Sequence, residues 1–366
     1  MSKNHRKIAF FTPSVSKYSE SFIQAHIDGL KGEIDVFHDG ELPIRKNGAL
    51  FYQPGIWDHR LQKLMGNAHH SIEHLGLYRA LRSGKYQLAF VEYGTTAARV
   101  FSTVQKLRIP LVVHFHGFDI SIRNVIEKNR KVYQEIFNYA SLIIVVSREM
   151  EMRAIALGCP SNKILYNPCG ANGIFEKVVS KVNINTFLCV GRFVEKKGPL
   201  YTIIAFHQLL LSGHKAYLKL IGDGPQKEMC EDYVKAHDIS DWVSFLGVKN
   251  ANEIAEEMSN VTCYVQHSIT ASSGDQEGTP VSILEAMLAG LPVISTLHGG
   301  IKDVVGEDCG VLVPEKDAKA MFHAMQDCLI QPEKFQAMGV AAKKYILQNH
   351  TLELHLERMN YAIANL

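Results

Sequence analysis

Residues 187–199 read Phe187-Leu-Cys-Val-Gly191-Arg192-Phe-Val-Glu-Lys196-Lys197-Gly198-Pro199, an apolar run followed by a basic loop between two glycines. The apolar run predicts a strand that ends at Gly191, and a helix is predicted to begin at Pro199, because proline fits a helix's first turn. Arg192 and Lys197 then lie at the carboxyl end of a strand, where open α/β sheets bind ligands. Their charges fit a diphosphate, although a basic loop on a solvated surface has the same composition.

The same strand-then-helix pattern repeats along the chain. Predicted strands cover residues 7–12, 34–38, 88–92, 111–114, 142–146, 164–166, 186–190, 218–221, 243–246, 261–265, 293–295 and 311–313. Predicted helices cover residues 95–107, 124–139, 148–157, 199–212, 225–236, 251–258 and 317–330. Most strands are continuous apolar runs, which are typical of strands covered on both faces. The pattern predicts an α/β fold with two doubly wound, Rossmann-like sheets that face a cleft.

A turn-rich cluster at residues 167–173, followed by the polar stretch 176–185, predicts the domain boundary. We expect a first domain at residues 1–170, a linker at 171–185 and a second domain at 186–349. A C-terminal helix of about residues 350–366 is expected to pack back on the first domain.

Composition restricts the function. The net charge of +2 argues against a dedicated nucleic-acid binder. No apolar run approaches the roughly 18 to 20 residues that a membrane span requires, and the N-terminus enters a strand without an apolar signal-peptide core. Seven scattered cysteines without a C-x-x-C pair favour reduced thiols and no zinc site. We therefore expect a cytoplasmic protein without a nucleic-acid partner.

Two carboxylates, Glu277 and Glu285, stand eight positions apart in the sequence EGTPVSILE. Thr279 is predicted to cap the helix that holds Glu285, with Pro280 in its first turn. A helix start offers unpaired N–H groups to a phosphate, and ionised carboxylates accept hydrogen bonds from hydroxyls. This arrangement suits a ligand with phosphate between two hydroxyl-rich ends, such as a nucleotide sugar. A surface loop followed by a helix with a solvent-facing Glu285 fits the same pattern.

Two further strand ends in the second domain are candidates for ligand contact. Gly222 begins a glycine-rich turn, which either holds a ligand or only turns the chain. Val248 and Lys249 follow the next strand and offer an edge for a nucleobase.

In the first domain, His114 and His116 alternate along a predicted strand and therefore share a face. A pair of histidines two positions apart, without a third nitrogen ligand, is poor evidence for a metal site. We expect a core histidine at position 114 and a ligand contact at His116, where Gly117 lets the chain turn. The first turn after strand 7–12 lacks G-x-G-x-x-G, which disfavours a nicotinamide enzyme. Neither a Walker A sequence nor a D-x-D triplet occurs.

Together these motifs resemble the retaining glycosyltransferase family 4, whose enzymes have the GT-B fold. The resemblance covers the second domain almost throughout: Gly191-Arg192 with Lys197-Gly198, Gly222-Asp223-Gly224-Pro225, Glu277-Gly278 through Glu285-Ala286, Gly290-x-Pro292, and Gly299-Gly300-Ile-x-Asp303. In the first domain, His116-Gly117 resembles the family's H-G motif. Ser19-Glu20-x-Phe22-Ile23 resembles a subgroup that builds bacterial exopolysaccharide and surface glycans.

The resemblance implies transfer of a sugar from a nucleotide-diphosphate donor to a glycan or lipid-linked acceptor, with retention of anomeric configuration. It implies that the donor diphosphate is bound by Arg192, Lys197 and the backbone near Val281 and Ser282, and that Glu285 binds the ribose. Glu277 and His116 would act at the transferred sugar. No metal ion or other cofactor would be needed, because cations stabilise the leaving diphosphate.

The chain departs from the family pattern at two places. The loop that contains Ser16, Ser19 and Glu20 lacks the usual Gly-Gly pair near donor or acceptor, which leaves that contact and the acceptor geometry open. The usual E-G-F-G becomes Glu277-Gly278-Thr279-Pro280, and Pro280 removes one N–H from the phosphate site.

Acceptor recognition is assigned by the resemblance to the first domain. Its residues 41–85 mix aromatic and basic side chains: Phe51, Tyr52, Trp57, Arg45, Lys46, Arg60, Lys63, Arg79 and Arg82. Such a stretch could meet an anionic membrane or a lipid-linked diphosphate, or it could be an ordinary solvated surface. Weak peripheral attachment to the inner membrane is therefore kept as a prediction.

Two other functions remain open. A nucleotide-sugar epimerase on a GT-B scaffold would convert donor without any acceptor. A non-catalytic nucleotide-sugar-binding partner would bind donor without turnover, but the presence of Glu277, Glu285, Arg192, Lys197 and His116 argues against it.

Overall fold

The computed structural model describes residues 6–15, 21–40, 42–51, 69–179 and 185–366. The chain divides into two compact units. The first contains Met1–Val146, Met150–Asn167 and Leu356–Leu366, and the second contains Ser147–Glu149 and Pro168–His355. Within the described ranges, no helix combines the length and apolar character needed to cross a membrane.

The first unit contains an eight-stranded sheet in the order β4-β3-β2-β1-β5-β6-β7-β8. Its strands are β1 Lys7–Phe11, β2 Glu33–His38, β3 Arg45–Lys46, β4 Ala49–Leu50, β5 Leu88–Glu92, β6 Leu111–Phe115, β7 Leu142–Val145 and β8 Ile164–Tyr166. Neighbours pair in parallel except at β2–β3 and β3–β4, which are antiparallel. The hairpin of β3 and β4 is absent from the sequence-based prediction, because strands of two residues carry no readable alternation.

The helices that begin before residue 157 are α1 Ser21–Gly29, α2 His69–Gly84, α3 Gly94–Lys106, α4 Phe118–Ser121, α5 Arg123–Tyr139 and α6 Arg148–Ala156. The last helix of the chain, α14 Leu352–Ala364, brings its C-terminal part to the first unit. There Met359 and Ile363 are buried against Ile8 and Phe10 of β1, and the Asn360 side chain donates to the Gly29 carbonyl at 2.9 Å.

The second unit contains a six-stranded, all-parallel sheet in the order β11-β10-β9-β12-β13-β14. Its strands are β9 Thr186–Val190, β10 Tyr217–Ile221, β11 Val243–Phe245, β12 Cys263–Val265, β13 Val293–Thr296 and β14 Gly310–Val313. Its helices are α7 Pro199–Leu211, α8 Lys227–Ala236, α9 Ala251–Ser259, α10 Val281–Leu288, α11 Ile301–Val304, α12 Ala318–Ile330 and α13 Pro332–Asn349. Residues 168–179 belong to this unit, with a short 3₁₀ turn at Gly173–Lys177.

Both sheets are covered on both faces, as continuous apolar runs require. All residues of β5, β6, β9 and β13 are buried. Each predicted strand and helix is present, and its bounds shift by no more than two residues. The doubly wound α/β prediction is confirmed for each unit, and polar residues after the central strands are the candidates for function.

Candidate functional site

The loop after β9 has the predicted form. A 3₁₀ turn at Glu195–Lys197 follows the strand, and α7 begins at Pro199, as the sequence analysis predicts. Gly198 has a positive φ of 50°, and a side chain there would clash with the backbone carbonyl of His267. Glycine is therefore required at this turn, which holds the loop cations against the strand ends.

Lys197 and Glu277 form an ion pair in this loop region, with Lys197 Nζ 3.2 Å from Glu277 Oε2. Glu277 is 7% exposed, and its Oε1 is buried without a hydrogen-bond partner in the described part of the chain. Burial alone would raise the pKa of Glu277, but the charges of Lys197 and Lys196 outweigh it and hold the pKa below its ordinary value. The carboxylate is thus ionised at neutral pH, and the hydrogen-bonding capacity of its Oε1 is not used by the described residues.

The other two cations of the loop, Lys196 and Arg192, differ in whether the side chain already has a partner. Lys196 Nζ pairs with Asp275 at 3.1 Å, so its charge is engaged. Arg192 is exposed, and its side chain forms no hydrogen bond or ion pair with another described residue. Of the three cations in this loop, the Arg192 guanidinium could therefore bind an anionic ligand without breaking an existing ion pair.

Helix α10 starts one residue later than the sequence analysis predicts. Pro280 is its N-cap residue and Val281 its first residue, so the predicted Thr279 cap is wrong. The Thr279 hydroxyl instead accepts a hydrogen bond from the Cys169 N–H at 3.2 Å. The N–H groups of Val281 and Ser282 form no hydrogen bond with the described residues, so the helix start still presents donors for an anion.

The Ser282 hydroxyl lies over a buried polar network. The hydroxyl of Tyr264 is 2.9 Å from Ser282 Oγ and 2.9 Å from Gln266 Oε1, and Gln266 donates to Ser268 at 2.7 Å. Tyr264 and Gln266 are fully buried. A small cavity lined by Gly191, Arg192, Phe193, Lys197, Pro199 and Gln266, among others, adjoins this network. Tyr264 and Gln266 are residues that sequence reasoning missed, because neither belongs to a recognised motif.

Glu285 lies in the second turn of α10 and is partly buried. Desolvation raises its pKa to about 8. No cation pairs with it in the described residues, so the carboxyl group is protonated near pH 7. A raised pKa without a partner is common at ligand sites.

The remaining candidates of the second unit have structural contacts. Gly222 has a φ of 133°, and a side chain there would clash with the Gly191 carbonyl, so Gly222 supports the β9 loop by close packing. Val248 is exposed, and Lys249 Nζ pairs with Glu257 at 3.1 Å.

In the first unit, His116 contacts a buried acid that sequence reasoning missed. His116 Nε2 lies 2.5 Å from Glu92 Oε2, and His26 Nδ1 of α1 lies 2.6 Å from Glu92 Oε1. Glu92 is fully buried at the end of β5, and His114 is fully buried in β6. Although burial opposes it, the adjacent His26 and His116 lower the pKa of Glu92 to about 2. An acid at the end of the apolar run LAFVE is the signal that could have found it.

His26 also supplies the additional nitrogen ligand that the sequence did not reveal beside His114 and His116. Candidate ligand atoms of His26, Glu92 and His114 all lie within 4.8 Å of one another, a spacing that could hold a metal ion. Both Glu92 oxygens are nevertheless hydrogen-bonded directly to imidazole nitrogens, at 2.6 Å to His26 and 2.5 Å to His116. The geometry is that of a buried hydrogen-bonded cluster.

A second acid holds the backbone beside His116. Asp119 is fully buried in α4 and accepts hydrogen bonds from the N–H groups of Gly94, His116 and Gly117 at 2.9, 3.1 and 3.0 Å. Gly117 has a φ of 137°, as its predicted turn requires. Burial raises the pKa of Asp119 in spite of these bonds. The hydrogen bonds to Asp119 thus fix the turn after β6 and, with it, the backbone of His116.

Several predicted contacts lie outside the described residues: Ser16, Ser19, Glu20, Tyr52, Trp57, Arg60 and Lys63. Of the basic residues proposed to face a membrane, Arg45 pairs with Asp39 and Lys46 with Asp35, both at 2.9 Å.

Comparison with known proteins places both halves of the chain in one functional class. Residues 172–345 match the family described as glycosyl transferases group 1, and residues 37–170 match the glycosyl transferase 4-like domain.

Individual relatives agree with these matches. AmsK of Erwinia amylovora, an amylovoran biosynthesis glycosyltransferase, is 33% identical over 235 residues, which cover 63% of this chain and 57% of AmsK. WcaL of Escherichia coli K12, a candidate colanic acid biosynthesis glycosyltransferase, is 32% identical over 62% of this chain and 57% of its own length. The chain thus matches little more than half the length of these relatives.

The fold matches solved structures over nearly the whole chain. HepE of Anabaena, in complex with UDP, superposes with a TM-score of 0.78 over 98% of this chain and all of HepE, at 17% identity. The likeness shows that the fold is GT-B, and the two domain matches, which together span residues 37–170 and 172–345, show that the chain belongs to the family-4-like glycosyltransferases.

Proposed function

We propose that this protein transfers a sugar from a nucleotide-diphosphate donor to a glycan or lipid-linked glycan, with retention of anomeric configuration, in bacterial polysaccharide biosynthesis. The observation that carries the proposal is the Glu277 carboxylate, which is ionised, buried and paired with Lys197 through one oxygen only. The names of AmsK and WcaL, both assigned to exopolysaccharides, support the choice of product.

The donor diphosphate is proposed to bind at the β9 loop and the start of α10. Arg192 supplies a guanidinium with no other described partner, Lys197 supplies an ammonium, and the N–H groups of Val281 and Ser282 supply neutral donors. As the bond between the sugar and the diphosphate breaks, negative charge grows on the phosphate oxygen. These groups stabilise that charge, so the proposed reaction requires no metal ion.

The transferred sugar is proposed to contact Glu277 and His116. Glu277 Oε1 accepts a hydrogen bond from a sugar hydroxyl, which takes up its remaining hydrogen-bonding capacity. The Nε2–H of His116 donates to Glu92, which directs Nδ1 away from the acid. The acceptor hydroxyl then attacks the anomeric carbon on the face that the diphosphate leaves, and its proton passes to the departing phosphate oxygen.

Donor affinity is expected to depend on pH through Glu285. Its pKa is about 8, well above the ordinary value for glutamate, so the carboxyl group is mostly protonated below that pH. The ionised form accepts more strongly from the ribose hydroxyls, so affinity should rise as the pH increases towards about 8 and then level off. Titration calorimetry with an intact nucleotide sugar between pH 6 and pH 9 measures this. Glu285→Gln should bind more weakly above pH 8 and lose the dependence, whereas an unchanged pH profile would contradict the ribose role.

Turnover is expected to depend on Glu92. Glu92→Gln keeps the shape of the side chain but removes the charge that orients His116, so kcat should fall by about ten-fold or more. The affinity for nucleoside diphosphate should not change, since Glu92 is not among the proposed diphosphate contacts. Asp35→Asn is the matched control, because Asp35 is also a buried carboxylate of the first unit, bonded to Tyr86 at 2.6 Å. Equal kcat values for Glu92→Gln and Asp35→Asn would contradict the role of Glu92.

A transfer assay distinguishes the proposal from its alternatives. Purified protein, donor and acceptor glycan should give a product whose new linkage has the donor's anomeric configuration, read by NMR coupling constants. Conversion of donor without acceptor would identify an epimerase, and binding without any turnover would identify a non-catalytic partner.

For a lipid-linked acceptor we propose weak peripheral membrane association. Cosedimentation with anionic vesicles at physiological ionic strength should then retain part of the protein, and less of it at high salt. Protein left wholly in the supernatant would contradict this part of the proposal.

A further inference from the structure

The backbone of Glu277 is held on both sides by the turn that follows β13, residues 297–300. The Glu277 N–H donates to His298 Nε2 at 3.0 Å, and the Gly300 N–H donates to the Glu277 carbonyl at 3.2 Å. Gly299 has a φ of 44°, and a side chain there would clash with the same carbonyl. This turn therefore fixes the peptide from which the Glu277 carboxylate projects.

The hydrogen bonds define the protonation of His298. A ring nitrogen that accepts from an N–H carries no proton, so the proton of a neutral imidazole lies on Nδ1. His298 Nδ1 is 2.6 Å from Glu315 Oε1, and Glu315 Oε2 accepts from the Thr270 N–H at 2.7 Å. Burial alone would raise the pKa of Glu315, but these hydrogen bonds outweigh it and keep the acid ionised. Each donor in the series Thr270, His298 and Glu277 thus has a matching acceptor.

His298 has no ring nitrogen left for a ligand. The residue is 1% exposed, and both ring nitrogens are hydrogen-bonded within the protein. Through hydrogen bonds this side chain therefore acts only on Glu277 and Glu315, and of these two only Glu277 is proposed to contact the substrate.

We propose that His298, held in its Nδ1–H tautomer by Glu315, is a positioning residue that aims Glu277 at the transferred sugar. The inference rests on the proposed function, in which Glu277 Oε1 accepts from a sugar hydroxyl. Lys197 fixes the second oxygen of the same carboxylate at 3.2 Å, so the Glu277 backbone is held at both its N–H and its carbonyl, and the side chain at one oxygen. Neither His298 nor Glu315 belongs to the motifs that carry the family resemblance.

Two substitutions separate positioning from mere packing. In His298→Gln the side-chain amide can accept from the Glu277 N–H and donate to Glu315, whereas in His298→Leu it can do neither. His298→Leu should lower kcat by about ten-fold or more, with the Kd of the nucleoside diphosphate changed by less than about two-fold. His298→Gln should recover most of the lost kcat.

His207→Leu is the matched control. His207 is a partly buried histidine of α7 in the same unit, and its Nδ1 lies 3.0 Å from the Tyr233 hydroxyl. This variant should keep the wild-type kcat. Wild-type kcat in His298→Leu, or equal losses in His298→Leu and His298→Gln, would overturn the inference.

A spectroscopic measurement tests the proposed tautomer of His298 without any assay of activity. In protein labelled with ¹⁵N-histidine, the His298 signals, assigned by their loss in His298→Gln, should show a protonated Nδ1 and a bare Nε2 near pH 7.5. A proton on Nε2 would overturn the inference even if transfer is observed. If the wild type binds no nucleotide sugar, the proposed function fails. The tautomer of His298 would still show whether its Nε2 accepts the hydrogen bond that holds the Glu277 backbone.

Discussion

Lys197→Met should weaken binding of the nucleotide-sugar donor by about ten- to a hundred-fold, the loss expected for one charge-assisted contact to phosphate. The substitution also removes the ammonium 3.2 Å from Glu277, a carboxylate that is only 7% exposed. A buried charge without its partner is destabilising, so the variant should also unfold at a lower temperature. Titration calorimetry and thermal unfolding measure the two effects separately.

The neighbouring lysine is the control for this result. Lys196 lies on the same 3₁₀ turn but pairs with Asp275, so Lys196→Met should reduce donor affinity far less than Lys197→Met. In the double variant Lys197→Met/Glu277→Gln, thermal stability should recover because no unpaired charge remains, while donor affinity stays low. Wild-type affinity in Lys197→Met would refute the phosphate role.

Glu277→Gln should have the second large effect, on turnover. The amide cannot accept from a sugar hydroxyl as strongly as the carboxylate, and a contact that strengthens in the transition state acts on kcat. We expect kcat to fall by about ten- to a hundred-fold, with the affinity for nucleoside diphosphate within about three-fold of the wild type. Steady-state kinetics combined with nucleotide binding separate these quantities.

Asp275→Asn is the matched control for Glu277→Gln. Asp275 also pairs with a lysine of the β9 loop, at 3.1 Å, but is not proposed to contact the sugar. Its kcat should stay near that of the wild type. If the two variants lose the same activity, Glu277 acts only through the charge balance of the loop.

Local pattern predicted every strand except β3 and β4, but the helices α1, α2, α4, α11 and α13 are absent from the sequence-based prediction. Fully buried strands such as β7 and β9 read as apolar runs, and Pro199 marked the start of α7 correctly. The hairpin β3–β4 was missed, since its strands have two residues each. Thr279 failed as a helix cap because the Cys169 N–H, more than a hundred positions away, takes its hydroxyl. A contact of that kind is not visible in local sequence.

Residues of the candidate site could be predicted from the sequence only where they belong to a family motif. Lys197 and Lys196 are adjacent and chemically alike, and only their partners, Glu277 and Asp275, distinguish them. Glu92 and His298 belong to no motif, and they reach His116 and Glu277 through tertiary hydrogen bonds. A charged or polar residue next to a buried apolar run is the one sequence signal they share.

Titration of nucleotide-diphosphate sugars into the wild-type protein and Lys197→Met, with EDTA present, tests whether Lys197 helps to bind the donor diphosphate without a metal ion. A metal-free donor site that includes Lys197 predicts that sugars of one base family bind the wild type without added metal, and that Lys197→Met binds them at least about ten-fold more weakly. Failure of every nucleotide sugar to bind the wild type, or equal binding by both proteins, would contradict it.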